Sequence, residues 1–314
     1  MIRTLCSACL IASTASGNPL FNGADPHVVV VGKEYWAYPT EHGTQKPIFA
    51  AYRSPDLKAW KREGELLNLD DIPWVKDGGP KNRPWAPSMV EKNKRFYFYY
   101  SIGPQTDIHP SRIGVATGDS PAGPFKDSGK PLLTGGNGFE AIDPMVFIDP
   151  TSGKSYFYAG GSAGSTLRVF ELEDDMIRFK REIKTTTPPH FTEGPFMHRR
   201  GGTYYLSYSH GRFNGPDYSV HYATAESPEG PWKYQARILE SDGSRKGPGH
   251  HAFVENPSTG EWFIVYHRWE TTEQSGPYRG SRKIAVEKVS YDAQGLIGPI
   301  RMTDEKSPSS PIKD

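Results

Sequence analysis

The sequence predicts an all-β, single-domain protein folded as a five-bladed β-propeller. Three observations support this prediction. Short β-prone runs alternate with turn clusters, a 3.6-residue apolar period is almost nowhere found, and one pattern recurs at intervals of about 50 to 60 residues. Because such a recurrence is typical of propeller blades, five copies account for residues 18–314 without a second domain.

Each recurring unit begins with a blade start and continues with an apolar strand, a turn and an aromatic strand. Four blade starts contain a proline and the fifth does not: Asp25-Pro26, Ala86-Pro87, Asp143-Pro144, Gly194-Pro195 and His250-His251. The aromatic second strands read EYWAY, RFYFYYS, SYFYAGG, TYYLSYS and EWFIVYH. Third and fourth segments follow, and three units close on a Ser-Pro phrase, at residues 54–60, 120–125 and 227–232. Four strands per unit are therefore expected.

Composition excludes several classes of partner. The 314 residues carry 37 Lys and Arg against 36 Asp and Glu, a net charge of +1, which argues against nucleic-acid binding through bulk charge. No stretch approaches the roughly 18 apolar residues of a membrane span. The 7 Trp, 17 Tyr and 15 Phe residues leave aromatic side chains for a polar, planar ligand.

The first 17 residues form a separate N-terminal segment. It combines Arg3, a short apolar patch and small residues, so it is either a weak secretory signal or an arm lying on the domain. Secreted, periplasmic and cytoplasmic locations all stay open. The two cysteines, Cys6 and Cys9, both lie here. The remaining chain therefore has no disulfide, no cysteine nucleophile and no thiolate metal site.

Three carboxylates lie at or beside blade starts. The first strand of each propeller blade lines the central channel, so the starts meet at one end of the axis. We therefore expect Asp25, Asp143 and Glu193 to face one another across the channel. A proline follows each acid within two residues and should push its predecessor toward extended backbone geometry.

This cluster indicates acid–base chemistry. Neighbouring carboxylates repel, so at neutral pH one tends to keep a proton while another stays ionised. Glycoside hydrolysis uses such a pair. One carboxylic acid protonates the leaving oxygen, and the other carboxylate activates a water molecule or attacks the anomeric carbon. The alternative use is direct calcium coordination with oxygen contacts of about 2.3 to 2.6 Å. Carboxylates on strands at opposite sides of a channel are spaced for a sugar ring rather than for the short contacts of a calcium site.

Five phrases between about Asn18 and about Gly298 resemble the blade starts of glycoside hydrolase family 43. They read NPLFNGADPHVVV, RPWAPSMVEKNKRFYFYYS, AIDPMVFIDPTSGKSYFYAGG, FTEGPFMHRRGGTYYLSYS and GPGHHAFVENPSTGEWFIVYHR. The family contains β-xylosidases, α-L-arabinofuranosidases and arabinanases on a five-bladed propeller. The resemblance makes Asp25 the general base, Glu193 the general acid and Asp143 the carboxylate that orients Glu193 and raises its pKa. Family members invert anomeric configuration, which implies a base-to-acid separation of about 6.5 to 9.5 Å.

The resemblance also implies a metal ion. His250 matches a histidine that lies on the axis under the active site and often helps to hold a hydrated calcium ion. Since imidazole is a poor ligand for a hard cation, calcium here would be bound mostly by water, with His250 as its main protein contact. In the alternative, His250 is hydrogen-bonded to Asp25 or another neighbour and holds no metal.

Two further residues are candidates for sugar binding. Trp85 directly precedes the second blade start and can offer an aromatic face to a pentose ring, although core packing is the alternative. Arg268, in the phrase VYHR, resembles the family's inward arginine that hydrogen-bonds the innermost sugar, although a solvated strand end is the alternative. His27 should point to the opposite face from Asp25 by strand alternation, in a structural role.

The sequence thus predicts an inverting exo-glycosidase that removes terminal β-D-xylose or α-L-arabinofuranose from hemicellulose oligosaccharides by direct attack of water. One alternative is an endo-α-1,5-L-arabinanase with an open cleft. Another is a non-catalytic sugar-binding propeller, which would have no need of three axial carboxylates. The oligomeric state stays open.

Overall fold

The computed structural model describes residues 17–41, 46–76, 82–106, 108–305 and 309–313. Within these ranges the chain forms five antiparallel sheets, and the predicted single-domain, five-bladed β-propeller is confirmed. No helix in the same ranges has the length and apolar character needed to cross a membrane. The predicted N-terminal segment lies outside the described residues except for Gly17.

The described chain begins with a two-residue strand, β1 (Phe21–Asn22), and continues into blades one and two. From the axis outward, blade one contains β2 (Ala24–Val31), β3 (Glu34–Thr40), β4 (Ile48–Ser54) and β5 (Lys61–Asn68). A short 3-10 helix and α1 connect it to blade two, at Leu69–Asp71 and Pro73–Lys76. Blade two contains β6 (Arg83–Lys92), β7 (Arg95–Gly103), β8 (Arg112–Gly118), and two short strands that both pair with β8, β9 (Lys126–Asp127) and β10 (Leu133–Thr134).

The remaining three blades repeat the same order. Blade three contains β11 (Met145–Ile148), β12 (Ser155–Ala159), β13 (Arg168–Leu172) and β14 (Phe179–Ile183). Blade four contains β15 (Glu193–Arg200), β16 (Thr203–His210), β17 (Ser219–Ala225) and β18 (Lys233–Leu239). Blade five contains β19 (Arg245–Asn256), β20 (Glu261–Glu270) and β21 (Lys283–Val289). The first strands β2, β6, β11, β15 and β19 contact one another in a closed ring.

The N-terminal part of the described chain closes this ring. Strand β1 pairs with β21 and becomes the outer strand of blade five, with Phe21 opposite Ile284. The Asn18 amide reinforces the closure, since it donates to the Val286 carbonyl at 2.8 Å and accepts the Val286 N–H at 3.0 Å. The last blade is therefore built from both ends of the propeller sequence.

Aromatic side chains fill the space between blades. Tyr99 and Tyr158, on the second strands of blades two and three, are fully buried. Their hydroxyls reach the next blade, where they donate to the carbonyls of Met176 and Pro228 at 2.6 Å in each case. Because the rings bury apolar area while the hydroxyls stay paired, tyrosine serves as an inter-blade spacer. Much of the aromatic excess is thus structural.

The blade starts do not have the predicted extended geometry. All five start residues have positive φ values: Asp25 at 50°, Ala86 at 37°, Asp143 at 59°, Gly194 at 62° and His250 at 36°. In four blades the pairing register also shifts at or around this residue. The expectation from X-Pro sterics was wrong because the start residue lies in a local irregularity of the ladder. Such backbone costs about 1 to 3 kcal/mol per non-glycine residue and must be held by its surroundings.

Cross-blade hydrogen bonds hold the blade starts. Four start residues donate their N–H to a side chain on the second strand of the preceding blade: Ala86 to Thr40 at 2.7 Å, Asp143 to Ser101 at 2.9 Å, His250 to Ser209 at 2.8 Å and Asp25 to His267 at 3.1 Å. In blade three the equivalent position is Gly160, opposite Ile142, and it has no side chain. The Gly194 N–H donates instead to Oδ2 of Asp143 at 3.0 Å.

Candidate active site

The blade starts surround a cavity of about 340 Å³ at one end of the axis. Five of the six residues selected from the sequence line it: Asp25, Trp85, Asp143, Glu193 and His250. Asp25 and Asp143 are 7% and 5% exposed, so their carboxyl groups are largely shielded from bulk water. The propeller repeat has therefore brought acids from three separate blades into one buried site.

Asp25 is held in its ionised form. Nη1 of Arg282 lies 2.9 Å from its Oδ1, and Nδ1 of His267 lies 3.3 Å from the same atom. Burial alone would raise the pKa of Asp25, but Arg282, followed by His250 and His267, outweighs burial and holds that pKa well below its usual range. A carboxylate that stays ionised at neutral pH can accept a proton from water.

Glu193 and Asp143 show the opposite behaviour. Burial is the main cause that raises the pKa of Glu193 to about 7, with Asp25 and Glu140 adding repulsion. Burial, and then the carboxyls of Glu193, Asp25 and Glu140, raise the pKa of Asp143 well above its usual range. Because Asp143 and Glu193 titrate as an interacting pair, the two carboxyls together retain a proton at neutral pH.

Tyr218 and His267 form a pair of stacked rings behind Glu193 and Asp25. The Tyr218 hydroxyl donates to Oε1 of Glu193 at 2.7 Å, and His267 contacts Asp25. The two rings are nearly parallel, at an angle of 10° with centroids 5.7 Å apart. Gly249 allows this packing, since a Cβ at that position would lie 2.1 Å from the Tyr218 ring. One rigid unit therefore supports both Glu193 and Asp25.

Two aromatic side chains stand at the wall of the cavity. Trp85 packs so closely on the next strand that a Cβ at Gly103 would lie 2.1 Å from its ring. Phe213 is 44% exposed, and the guanidinium carbon of Arg282 lies 5.2 Å from its ring centroid. The cavity thus has an aromatic surface besides its charged groups, as sugar sites commonly do.

The structure does not bring Arg268 to this cavity, which corrects its assignment as the inward arginine. Arg268 is fully buried, and its donors contact Glu270 at 2.7 Å, Asp304 at 3.1 Å and the Thr303 carbonyl at 2.9 Å. The physical reason is strand alternation, because the preceding residue, His267, points toward Asp25. The arginine that lines the cavity is Arg282.

Four further residues of the site lie outside the repeated positions by which the sequence pattern identifies the blade starts. Arg282, Phe213 and Tyr218 lie in or next to connections between strands, and Glu140 lies in the segment before the third blade start. None of them occupies a repeated position, so comparison of the blades carries no signal for them. The clue that was available for Glu140 is its place three residues before Asp143.

His250 lies between two of the acids. Its Nδ1 is 3.4 Å from Oδ2 of Asp143 and 3.6 Å from Oδ1 of Asp25, and burial is the main cause that lowers its pKa. Among the described residues, no group of three or more His, Cys, Asp and Glu side chains is placed to hold a metal ion directly. The residues therefore do not fit a calcium cage made of protein ligands, and no chemical step here is assigned to calcium.

His27 takes the structural position expected of it. Its ring nitrogen Nε2 lies 2.9 Å from the Met89 carbonyl of the next blade, and burial is the main cause that lowers its pKa to about 4. It is absent from the cavity that contains Asp25. The histidine therefore links blades one and two as a neutral side chain.

The arrangement supports hydrolysis of a bond to an anomeric carbon. One carboxylate is ionised and another carboxyl carries a proton in the same desolvated cavity, and these are the two groups that glycoside hydrolysis requires. Two carboxyl groups with raised pKa values, Asp143 and Glu193, share this cavity with an ionised one, as is common at functional sites.

Comparisons with known proteins agree with this chemistry. The profile of the glycosyl hydrolases family 43 matches residues 16–297. A β-D-galactofuranosidase (xynD) of Aspergillus niger is 33% identical over 94% of this chain and 87% of its own length. A xylosidase/arabinosidase of Bacteroides ovatus is 29% identical over 90% of this chain and 96% of its own.

A solved structure shows the same fold. It is the calcium-free form of a family-43 β-xylosidase/α-arabinofuranosidase from a compost microbial metagenome, in complex with xylotriose. It is 28% identical to this chain, superposes with a TM-score of 0.73, and the match covers 93% of this chain and 98% of the other. The chain therefore belongs to glycosyl hydrolases family 43.

Proposed function

We propose that this glycoside hydrolase is an inverting exo-enzyme that removes terminal β-D-xylose or α-L-arabinofuranose from hemicellulose oligosaccharides. The observation that carries the proposal is the contrast between Asp25 and Glu193 in one cavity. Arg282 keeps the first carboxylate ionised, whereas burial raises the pKa of the second to about 7, so that a fraction of Glu193 keeps its proton at neutral pH.

The proposed reaction is a single displacement. Asp25 takes a proton from a water molecule, and the water oxygen forms a bond to the anomeric carbon. The bond between that carbon and the glycosidic oxygen breaks, and Glu193 gives its proton to the departing oxygen. Asp143 donates no proton in this scheme. Its negative charge, when present, opposes ionisation of Glu193, and its Oδ2 accepts the Gly194 N–H beside that acid.

The stereochemistry tests this mechanism. Direct attack by water on the face opposite the leaving group inverts the anomeric carbon. Proton NMR of the first sugar released, recorded before mutarotation, should therefore show the anomer opposite to that of the substrate. Release of the retained anomer would exclude the role proposed for Asp25.

Three aryl glycosides test the choice of sugar. The relatives are named for β-D-galactofuranose, xylose and arabinose, so the test set is p-nitrophenyl β-D-xylopyranoside, α-L-arabinofuranoside and β-D-galactofuranoside. Hydrolysis of the first or second supports the proposal, and exclusive hydrolysis of the third redirects it to hexofuranosides. Depolymerisation of linear arabinan without release of monosaccharide would favour the endo-arabinanase alternative.

We also propose that His250 is the main protein contact of a calcium ion that is otherwise bound by water. The support is the position of His250 on the axis and the description of a solved relative as a calcium-free form. Removal of divalent ions by a chelator should lower the unfolding temperature of the wild type, and calcium should restore it. A His250→Ala variant should show no such response. An identical response in both proteins would contradict the assignment.

A further inference from the structure

A fourth carboxylate lines the cavity and has no part in the chemistry described above. Glu140 lies before the third blade start and is 7% exposed. Its burial is comparable to that of Asp25 and Asp143, yet the proposed displacement needs neither a second base nor a second acid. The proposed mechanism therefore does not explain why a fourth carboxyl group is buried in this cavity.

The neighbouring loop fixes one of the two Glu140 oxygens. Oε2 accepts the Ala163 N–H at 2.8 Å and the Ser162 hydroxyl at 3.3 Å. The loop approaches closely because Gly161 has no side chain, since a Cβ there would lie 2.8 Å from Oε2. The backbone is anchored as well, through the Ala141 N–H to the Ser111 hydroxyl at 2.8 Å. The carboxyl group is thus held in one orientation.

The other oxygen has no protein donor in the described part of the chain. Oε1 of Glu140 accepts no hydrogen bond there, and Glu140 forms no ion pair with a described lysine, arginine or histidine. A shielded carboxylate oxygen without a donor is less stable than one that accepts a hydrogen bond, so a donor that reaches Oε1 stabilises the group. Glu140 lines the cavity, so a molecule bound there can bring a donor to this carboxyl group.

We propose that Glu140 is a specificity-determining residue whose Oε1 accepts a hydrogen bond from a hydroxyl group of the terminal sugar. Sugar hydroxyls are donors of the right size, and the aromatic wall of Trp85 and Phe213 leaves the carboxyl groups as the main acceptors in the cavity. A site that binds a hydroxyl through a buried charge discriminates strongly against the deoxygenated sugar, because the charge then stays unpaired.

This inference rests on the proposed function for the identity of the ligand, but its test uses binding rather than turnover. Calorimetry should measure the affinities of D-xylose, L-arabinose and D-galactose for the wild type and for two variants, Glu140→Gln and Glu140→Ala. In Glu140→Gln the Ala163 N–H and the Ser162 hydroxyl should hold the amide oxygen at the Oε2 position, so the amide NH2 replaces the acceptor at Oε1. We expect the preferred sugar to bind about 10- to 100-fold more weakly to both variants.

Monodeoxy sugars identify the hydroxyl. For the wild type, removal of one particular hydroxyl should weaken binding about 10-fold or more, whereas for Glu140→Ala the same removal should change binding less than about 2-fold. Glu226→Gln removes an exposed carboxylate outside the cavity and should bind like the wild type. Urea unfolding of all variants separates a loss of binding from a loss of folding.

Two results would overturn the proposal. The first is unchanged affinity for all three sugars in both folded variants, and the second is a wild type that binds none of them. Loss of hydrolysis on every aryl glycoside would instead contradict the proposed function. Because the calorimetry measures sugar affinity without turnover, a failure of the proposed function can be distinguished from a failure of the role proposed for Glu140.

Discussion

The Tyr218 hydroxyl donates a hydrogen bond to Oε1 of Glu193 at 2.7 Å, from a ring that is fully buried and stacked on His267. A carboxyl group that accepts a bond on one oxygen keeps its proton on the other. The Tyr218 bond therefore directs the acidic proton to Oε2, and it also favours the ionised form of Glu193 relative to an unpaired carboxyl.

Replacement of Tyr218 should shift the alkaline limb of the pH–rate profile. In the proposed mechanism Glu193 must be protonated to act as the acid, so the rate should fall as the pH rises through its pKa of about 7. Tyr218→Phe removes a bond that lowers this pKa, so the alkaline limb of kcat/KM should move upward by about one unit. Tyr234→Phe changes a tyrosine that contacts His221 outside the cavity and should leave the limb in place. An unshifted or lowered limb in Tyr218→Phe would contradict the role of this bond.

Replacement of Arg282 should shift the acidic limb. In the proposed mechanism Asp25 must be ionised to act as the base, so the rate should fall as the pH drops through its pKa. Arg282→Met leaves burial to raise that pKa, and the acidic limb should move to higher pH by about one to three units. Arg282→Lys keeps a positive charge and should shift the limb less. An acidic limb of Arg282→Met that coincides with that of the wild type would contradict this role of Arg282.

Loss of Arg268 should affect stability rather than sugar recognition. This buried arginine pairs with the partly exposed Glu270 and Asp304 and lies 3.9 Å from buried Glu287, so Arg268→Met removes the cation beside Glu287 and the bond to the Thr303 carbonyl. We expect the free energy of unfolding in urea to fall by about 3 kcal/mol or more, with KM unchanged. A rise in KM without a loss of stability would return Arg268 to the binding site and contradict the structure.

The cross-blade hydrogen bonds should contribute measurably to stability. Ser101→Ala removes the acceptor of the Asp143 N–H, which leaves a buried donor unpaired in a positive-φ residue. The free energy of unfolding should fall by about 1 to 3 kcal/mol, as measured by urea denaturation. Ser128→Ala, at an exposed serine of the same blade, should cost no more than about 0.5 kcal/mol. Equal stability of the two variants would show that the blade start is held by other contacts.

The repeated part of the molecule was predictable from the sequence. Five blade starts recur at a regular spacing, and four of them contain a proline. The number of blades and the meeting of Asp25, Asp143 and Glu193 follow from this spacing. The backbone conformation at the starts was not predictable in this way. It depends on acceptors such as Ser101, which lie on a different blade and are selected by the closed ring.

The site residues outside the repeated positions could not be assigned from the sequence. Arg268 lies near the end of β20, and Arg282 lies just before β21. Residue type alone does not decide which of the two arginines points into the channel. The choice depends on which face of β20 turns to the axis, and His267 occupies that face. Tyr218 becomes recognisable only when the chain folds its segment against Glu193, whereas the sequence offers one clue for Glu140, its place three residues before Asp143.

The assignment of Asp25 as the base and Glu193 as the acid is tested most directly by the dependence of the rate on the leaving group. The measurement is kcat/KM for Asp25→Asn and Glu193→Gln on two glycosides of the same sugar, one with a 2,4-dinitrophenyl group that departs without protonation and one with an alkyl group that needs it. Asp25→Asn should lose about 10³-fold or more on both, whereas Glu193→Gln should lose about 10²- to 10⁴-fold on the alkyl glycoside and far less on the dinitrophenyl glycoside. Equal losses on both substrates for Glu193→Gln would contradict these roles. So would a loss for Asp25→Asn that is much smaller on the dinitrophenyl glycoside than on the alkyl glycoside.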